Sequence, residues 1–283
     1  MTATGGYLGP AEIRDLAEML ELQPTKKLGQ NFVVDANTVR RIVTAAGVTE
    51  TDTVLEVGPG LGSLTLGLLA TGASVIAVEI DRRLAAQLPK TVDLLRPGSD
   101  LTVLTDDAMA ITELPSGVNR LVANRLVANL PYNISVPVLL HLLQTFPSLT
   151  SGLVMVQAEV GRRIAAGPGS RVYGGPSAKA AWYGRWRTAG QVSRQVFWPV
   201  PNVDSLLIGF ERRAEPMGTE EERRTTFGIV DAAFGQRRKM LRQSLAGLFG
   251  TGASATLERA GIDPTSRAEV LPVEDFLAIA RVG

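Results

Sequence analysis

The stretch 53–62, which reads TVLEVGPGLG, constrains the fold of this chain more than any other. An apolar, β-branched run leads into Gly58, Gly60 and Gly62, and an amphipathic run beginning at Ser63 follows. This order predicts a strand, a tight turn and a helix. The glycines permit unusual backbone angles and let a ligand lie against bare main chain. Unpaired amides at the start of the helix would face that ligand.

A second apolar run, SVIAVEID, ends in two acidic residues, Glu79 and Asp81. An acidic residue about 20 positions after the glycines, at the tip of the next strand, is placed to accept hydrogen bonds from ribose hydroxyls. The pattern favours a nucleoside ligand over a plain glycine-rich turn in an ordinary α/β domain. The glycine spacing is not that of dinucleotide binders, and it leaves open whether the ligand is a dinucleotide or S-adenosylmethionine.

The composition excludes several kinds of chemistry. The chain has 283 residues, no cysteine and a single histidine. The absence of cysteine excludes a disulfide scaffold, a zinc–thiolate site and cysteine catalysis. His141 lies in the apolar helical run VPVLLHLLQTF, where we expect it to have a structural role. We therefore do not expect Ser-His-Asp chemistry or a histidine metal site. We therefore expect no metal.

No apolar stretch approaches the length of a membrane span, so we expect no membrane partner. The start of the chain, MTATGGYLGP, lacks the basic and apolar segments of a signal peptide, and we expect a cytoplasmic protein. The net charge is only +1, so bulk charge does not indicate a nucleic-acid partner. Local basic clusters, such as Lys26-Lys27 and Arg237-Arg238-Lys239 with Arg242, are ordinarily solvated surfaces when taken alone.

Strand and helix patterns alternate through the first half of the chain. Strands are predicted at 53–57, 74–79 and 101–105, with helices at 63–69 and 82–88. Such alternation predicts an α/β fold with a mainly parallel sheet covered by helices. Asp106 and Asp107 close the third strand, at the edge of the sheet where ligand groups gather.

The remaining elements are read in the same way. Residues 120–129 repeat RLVAN, and we expect the second copy to be the strand that leads into the site, with Asn124 of the first copy just before it. Other predictions are helices at 10–22, 36–46, 135–146 and 178–187, a strand at 152–158, and a hairpin within 191–211. After Arg213 only helical periods follow, at 219–234, 237–248, 254–260 and 273–281. The chain is therefore expected to divide into domains 1–212 and 213–283.

The tetrapeptide Asn129-Leu130-Pro131-Tyr132 sits at a predicted strand end, opposite the glycine turn. Pro131 restricts Leu130 to extended conformations and fixes the loop. The loop could present the side-chain oxygen of Asn129 and a main-chain carbonyl to the two hydrogens of an exocyclic amine. Tyr132 offers a face on which a base can stack. These are the requirements for methyl transfer to an aromatic amine, although an ordinary strand-to-helix turn would give the same tetrapeptide.

Seven motifs together give the chain a specific resemblance. GQNFVVD, EVGPGLG, VEID, DDAM, NLPYNIS, FWPVPNVDS and AFGQRRKMLRQSL occur in the order typical of the KsgA/RsmA family. That family dimethylates the N6 atoms of two adjacent adenines near the 3′ end of small-subunit (16S) ribosomal RNA. The resemblance covers residues 24–276. It implies a Rossmann-like methyltransferase sheet with a small helical C-terminal domain, and S-adenosyl-L-methionine as the methyl donor.

The resemblance also implies roles for individual residues. Donor-binding positions are Asn31, Val33, Gly58, Gly60, Glu79, Ile80, Asp107 and Asn129. Within this set, Glu79 would hold the ribose, Ile80 would pack on the donor adenine and Asp107 would accept from its amine. The catalytic positions are Asn129, Leu130, Pro131, Tyr132 and Phe197, with the target base between Tyr132 and Phe197. Trp198 follows Phe197, so either ring could be the second stacking partner.

The resemblance implies that the helical domain meets ribosomal RNA through Arg238, Lys239 and Arg242, by phosphate contacts that orient rather than read sequence. The expected partner is small-subunit RNA in an immature 30S particle, bound by a monomer. Two alternatives stay open. One is a large-subunit RNA dimethyltransferase of the macrolide-resistance type, and the other is a non-catalytic RNA-binding assembly factor. A nicotinamide dehydrogenase fits least, because the glycine spacing differs and no proton-transfer histidine is available.

Overall fold

The computed structural model describes residues 6–22, 31–114 and 122–283. Part of the GQNFVVD motif, the Lys26-Lys27 pair and the first residues of the RLVAN repeat, Arg120 and Leu121, lie outside the described residues. The chain divides into two compact units. The first comprises residues 1–161 and 187–211, and the second comprises residues 162–186 and 212–283.

The first twelve elements follow the predicted alternation of strands and helices, except for a two-residue strand at 32–33 that was not predicted. They are α1 (Pro10–Met19), β1 (Phe32–Val33), α2 (Ala36–Ala46), β2 (Thr53–Val57), α3 (Ser63–Leu69), β3 (Ser74–Glu79), α4 (Arg82–Leu95), β4 (Leu101–Thr105), β5 (Arg125–Asn129), α5 (Ser135–Thr145), β6 (Ser151–Gln157) and α6 (Ala158–Ile164).

The later elements are α7 (Gly175–Tyr183), β7 (Gly184–Val192), β8 (Phe197–Trp198), β9 (Ser205–Arg212), α8 (Glu220–Gly235), α9 (Leu241–Ser244), α10 (Ala246–Phe249), α11 (Ala253–Arg259) and α12 (Val273–Val282). A seven-stranded sheet has the order β4-β3-β2-β5-β6-β9-β7. The strands from β4 to β6 are parallel, and β9 runs antiparallel to β6. β1 and β8 form a separate antiparallel pair, with Phe32 opposite Trp198.

The helix predicted at 82–88 is longer in the structure. α4 was expected to end at residue 88, but it continues through Pro89 to Leu95. Leu84, Leu88 and Val92 recur every four residues and are buried. The free energy gained by burying this continuous apolar face exceeds the free energy lost with the intrahelical hydrogen bond that Pro89 cannot make.

The helix predicted at 178–187 is wrong in its last part. α7 ends at Tyr183, and residues 184–192 form β7 at the edge of the sheet. Gly184 has an extended backbone, with φ 171° and ψ −164°, and interrupts the helix. The predicted hairpin in 191–211 is also different, because β8 leaves the large sheet to pair with β1.

The second copy of the RLVAN repeat forms β5, as predicted. Asn124 precedes β5 and joins it to β2: its Oδ1 accepts from the amide of Thr53 at 2.9 Å, and its Nδ2 donates to Asp52 at 2.8 Å. Arg125 forms an ion pair with the same Asp52, with Nε 2.9 Å from Oδ1. The two copies therefore have different structural roles. Asn124 of the first copy connects to β2, and the second copy forms β5.

The second unit is helical and has its own core. Phe276, Leu241, Leu257 and Val230 lie in it, and so does Tyr173, whose hydroxyl donates to the carbonyl of Leu271 at 2.8 Å. Residues 162–186 thus belong with the C-terminal helices, whereas a boundary at 212/213 assigned them to the first domain. Pairing over nearly 100 residues of chain separation is not visible in local sequence. Every helix in the described ranges is too short or too polar to cross a lipid bilayer.

Candidate active site

One cavity of about 920 Å³, measured with its open side, lies in the first unit at the carboxyl ends of β2, β3, β4 and β5. The predicted donor-binding residues all line it: Asn31, Val33, Gly58, Gly60, Glu79, Ile80, Asp107 and Asn129. Parallel strands end at the same edge of a sheet, so residues far apart in sequence meet there.

The glycine turn forms the floor beside β2. Gly58, Gly60 and Gly62 all have positive φ, at 68°, 58° and 97°. A Cβ at Gly60 would lie 2.8 Å from the ring of Phe32, and one at Gly62 would lie 2.6 Å from Leu88. Both glycines are therefore required for conformation, and Gly60 also for its close packing against the Phe32 ring. The atom nearest to a Cβ placed on Gly58 would be the carbonyl oxygen of Asn129, at 3.8 Å, so the turn faces the Asn129 loop.

Glu79 ends β3 with a fixed, buried carboxylate. Its Oε2 accepts from the amide of Gly60 at 3.1 Å, and its Oε1 accepts from the amide of Asp81 at 3.0 Å. Burial raises the pKa of Glu79, while the two amides act in the opposite direction. Each oxygen keeps a second lone pair, so the carboxylate can still accept from a pair of hydroxyls.

Glu56 also lines the cavity, although it belongs to none of the predicted site positions. It lies in β2, 1% exposed, and its Oε2 accepts from the hydroxyl of Thr65 at 2.7 Å. Burial raises its pKa to about 8, and the nearby charge of Glu79 adds to the rise. A carboxyl group inside an otherwise apolar strand was the available signal, since buried charges are rare without a purpose.

β1 covers one side of the cavity. The hydroxyl of Ser63, at the start of α3, donates to the carbonyl of Val33 at 2.6 Å. Phe32 and Val33 are buried, and both contribute to the lining. The motif that contains Asn31 is thus attached to the glycine turn by a direct hydrogen bond. This contact places a segment from before α2 over the strand ends.

Asn129 has the most informative environment in the cavity. Its Nδ2 donates to the carbonyl of Asn31 at 3.1 Å. Its Oδ1 is buried and has no hydrogen-bond partner among the described residues. An unsatisfied buried acceptor costs on the order of 1–3 kcal/mol, so this oxygen is suited to a donor brought by a ligand. The nitrogen fixes the amide so that the oxygen is the free end.

The opposite rim contains one apolar and one acidic candidate. Ile80 is 54% exposed although it follows a buried strand. Asp107 is exposed, and its Oδ1 accepts from the amide of Met109 at 2.9 Å, which fixes the turn after β4. An apolar surface beside an acceptor matches a purine with an exocyclic amine.

The other predicted catalytic residues are placed less directly. Pro131 lines the cavity with Asn129, whereas Leu130, Tyr132 and Phe197 do not belong to its lining. Leu130 is buried, and its amide donates to the carbonyl of Met155 at 3.0 Å. The Tyr132 hydroxyl forms a short hydrogen bond with that of Ser205, and burial raises the pKa of Tyr132.

Phe197 is 1% exposed and packs in the core of the first unit, so its ring has almost no face to offer a base in this structure. Trp198 is partly exposed, and its ring stacks on Phe32 with centroids 6.3 Å apart. The role of Phe197 as a stacking partner stays a prediction, and it requires this ring to become exposed.

The predicted RNA-binding residues lie in the second unit, with Arg238 and Lys239 in a turn and Arg242 in α9. The helix predicted at 237–248 is wrong at its start, because residues 236–240 form a turn and α9 begins at Leu241. Arg237 pairs with Glu269, with Nε 3.1 Å from Oε2. Arg238, Lys239 and Arg242 are exposed, and in the described part of the chain none of the three forms an ion pair.

His141 has a structural position in α5. Its Nε2 lies 2.9 Å from the carbonyl oxygen of Ile111, and its Nδ1 lies 3.5 Å from the hydroxyl of Thr145. Within residues 6–22, 31–114 and 122–283, no three His, Asp or Glu side chains are arranged to hold a metal ion.

The glycine turn after β2 and the acidic end of β3 line one cavity. Together with the strand order of the sheet, they define a Rossmann-like, S-adenosylmethionine-dependent methyltransferase. Comparison with known proteins gives the family. Residues 22–282 match the family model described as ribosomal RNA adenine dimethylase, and the chain belongs to that family.

Close relatives match over nearly their full length. One is "Ribosomal RNA small subunit methyltransferase A" of Leifsonia xyli subsp. xyli, 66% identical over 96% of this chain and 97% of the relative. A protein of the same name from Arthrobacter sp. is 56% identical over 99% of this chain and 94% of the relative.

Solved structures share the fold. A dimethyladenosine transferase from Plasmodium falciparum has a TM-score of 0.73 at 24% identity, covering 87% of this chain and 94% of that one. The 23S rRNA methyltransferase ErmE has a TM-score of 0.63 at 25% identity, covering 88% of this chain and 98% of that one.

Proposed function

We propose that this protein transfers methyl groups from S-adenosyl-L-methionine to N6 of two adjacent adenosines near the 3′ end of small-subunit (16S) ribosomal RNA, within an immature 30S particle. Membership of the adenine dimethylase family and 66% identity to a small-subunit methyltransferase support the substrate. The observation that carries the reaction is the buried Oδ1 of Asn129, which has no hydrogen-bond partner within the described part of the chain. It is an acceptor in need of a donor, located where a target amine would enter.

The residues of the cavity fit the donor. S-adenosylmethionine supplies an electrophilic methyl group on a sulfonium, so the protein needs no strong base. Glu79 would accept from the ribose hydroxyls with its lone pairs that the Gly60 and Asp81 amides leave open. Ile80 and Asp107 would hold the adenine ring and its amine. At the start of the glycine turn, a Cβ at Gly58 would have no atom nearer than 3.8 Å, which leaves room there for the amino-acid part.

Asn129 would act on the target amine. The N6 lone pair is delocalised into the adenine ring, and an acceptor on an N6 hydrogen favours a nitrogen geometry that can attack the methyl carbon. The donor would supply the methyl group and keep the electron pair of the carbon–sulfur bond. N6 would become positive as it gains the methyl group, and its hydrogens would bind Oδ1 of Asn129 more strongly. One proton then leaves N6 to water. Positioning and this growing hydrogen bond supply the acceleration.

The RNA itself would be held elsewhere. Exposed Arg238, Lys239 and Arg242 are suited to phosphate contacts, which add affinity and orientation without reading sequence. We infer that the protein acts as a monomer in the cytoplasm, where small subunits mature.

The test is incubation with tritiated S-adenosylmethionine and one of three substrates: under-methylated small subunits, their free RNA, or large-subunit RNA. Mass spectrometry of RNA fragments then locates the methylated bases. We expect dimethyladenosine at two adjacent positions of small-subunit RNA. Label in large-subunit RNA alone would instead favour the alternative suggested by the likeness to ErmE. Donor binding without label in any RNA would favour an assembly factor.

A further inference from the structure

A short loop after β8 has exposed apolar side chains that the donor site does not use. Residues 199–203 read PVPNV, and Val200 and Val203 are 59% and 44% exposed. The loop has no charged side chain, so it is not suited to bind backbone phosphates, which require Arg, Lys or oriented polar groups. Its exposed apolar side chains are suited to the faces of bases.

Both ends of this loop are attached to residues beside the proposed reaction centre. At one end, Trp198 stacks on Phe32, a lining residue of the cavity. At the other end, Ser205 forms a hydrogen bond with Tyr132 of the NLPY loop. The loop therefore runs from one side of the cavity to the residue expected to stack the target base.

The loop is also held in shape. Pro199 and Pro201 fix two φ angles. The guanidinium of Arg194 donates to the carbonyl of Asn202 at 2.9 Å, and the amide of Arg194 donates to Asp204 Oδ1 at 3.0 Å. Two exposed valines on a fixed support can push against a base stack without first losing much conformational freedom.

A base that reacts at N6 in this cavity must leave its stack, and its former neighbours then expose apolar faces. Apolar side chains that fill such gaps occur in other nucleic-acid-binding proteins. We propose that Val200 and Val203 are positioning residues that pack against the bases next to the target adenine and hold it in the extruded state. This inference rests on the proposed function, because it needs an adenine in a larger RNA as substrate.

The test compares three double variants with the wild type on under-methylated small subunits. Val200→Ser/Val203→Ser removes the apolar surface, and Val200→Ile/Val203→Ile keeps it. Val172→Ser/Val270→Ser is the matched control, since these valines of the second unit are 43% and 53% exposed. Donor affinity by calorimetry, subunit affinity and the single-turnover methylation rate are measured for each.

We expect the serine variant to lose at least tenfold in single-turnover rate, with donor and subunit affinities within twofold of wild type. The isoleucine variant and the control should stay within twofold in rate. A merely structural role would not separate serine from isoleucine at exposed positions. A serine variant with the wild-type rate, or an equal loss in the control, overturns the inference alone. A wild type that methylates no small-subunit adenine overturns the proposed function and this inference with it.

Discussion

The two halves of the candidate site are prepared to different degrees. On the donor side, all eight predicted residues line one cavity, and Glu79 is fixed by two main-chain amides. On the target side, Asn129 is oriented, but Tyr132 bonds to Ser205 outside the lining and Phe197 is buried in the core. The donor half is built from strand ends of one parallel sheet. The target half combines the NLPY loop with the β8 segment, which needs a second, separate strand pairing.

This comparison predicts which changes affect folding and which affect chemistry. Substitutions in the donor half should change donor affinity. Residues of the target half should act on rate or, where they are buried, on stability. Five measurements test this division.

The largest effect should come from Phe197→Ala. The ring is fully buried in the structure, so we expect its removal to lower the free energy of unfolding by roughly 3–5 kcal/mol, as for other buried aromatic residues. Urea unfolding followed by circular dichroism measures this. Trp198→Ala is the control, because a partly exposed ring should cost clearly less. A Phe197→Ala protein of wild-type stability that has lost methylation would instead identify this ring as a mobile stacking partner.

The next effect should come from Asn129→Ala, measured as the single-turnover methylation rate. We expect at least a hundredfold loss, on the order of 3 kcal/mol, because the hydrogen bond to N6 strengthens in the transition state. RNA affinity should change little, and the ratio of dimethylated to monomethylated adenine should fall. The exposed Asn37→Ala serves as the matched control. Dimethylation at the wild-type rate in Asn129→Ala would reduce NLPY to a structural turn.

Glu79→Ala should weaken donor binding by roughly 1.5–3 kcal/mol, the range for hydrogen bonds to a charged group. Isothermal calorimetry with the donor gives the value directly. The neighbouring acid Asp81, which caps α4 and pairs with Arg83, provides a control in Asp81→Asn. Equal donor affinity in Glu79→Ala and wild type would remove Glu79 from the donor site.

Glu56 should make stability depend on pH. Its pKa is raised from 4.5 to about 8 in the folded protein, so between these values the folded state holds a proton that the unfolded state has released. Stability must then fall as pH rises through this window, by up to about 1.4 kcal/mol per unit. From pH 5.5 to 7.5 we expect Glu56 to account for a loss of roughly 2 kcal/mol, so the slope should be shallower in Glu56→Gln, where Glu79, whose pKa burial also raises, still contributes. The exposed Glu50→Gln should keep the wild-type slope, and a Glu56→Gln protein that also keeps it would contradict the assignment.

The smallest effect should come from the second unit. Replacing Arg238, Lys239 and Arg242 with alanine should weaken binding to small subunits and reduce the slope of log affinity against log salt by up to about 2. Donor affinity should not change, because these residues are not in the cavity lining. Titrations at several salt concentrations provide the slope. A folded triple variant with the wild-type slope would leave this cluster as a solvated surface.

Local sequence determined the donor half of the site and most of the fold. Strong apolar periods and glycines with positive φ fix β2, its turn and α3, because the responsible interactions join residues close in sequence. The family motifs then selected Glu79 and Asn129. The sequence also placed Glu56 in a buried strand, but only the structure drew attention to it.

Several features of the fold depend on pairing between segments distant in sequence, and these are set by the tertiary structure. Residues 184–187 joined a sheet edge although their local pattern indicated a helix, and residues 162–186 joined the second unit through contacts such as that between Tyr173 and Leu271. The pairing of β1 with β8 buried Phe197 and left Trp198 at the surface. The contact of Asn31 with Asn129, 98 residues apart, orients the Asn129 amide, whose Oδ1 has no partner among the residues that the structure describes. Local propensity cannot encode such choices, because the free energy that selects them comes from burial and hydrogen bonds between segments that meet only in the folded chain.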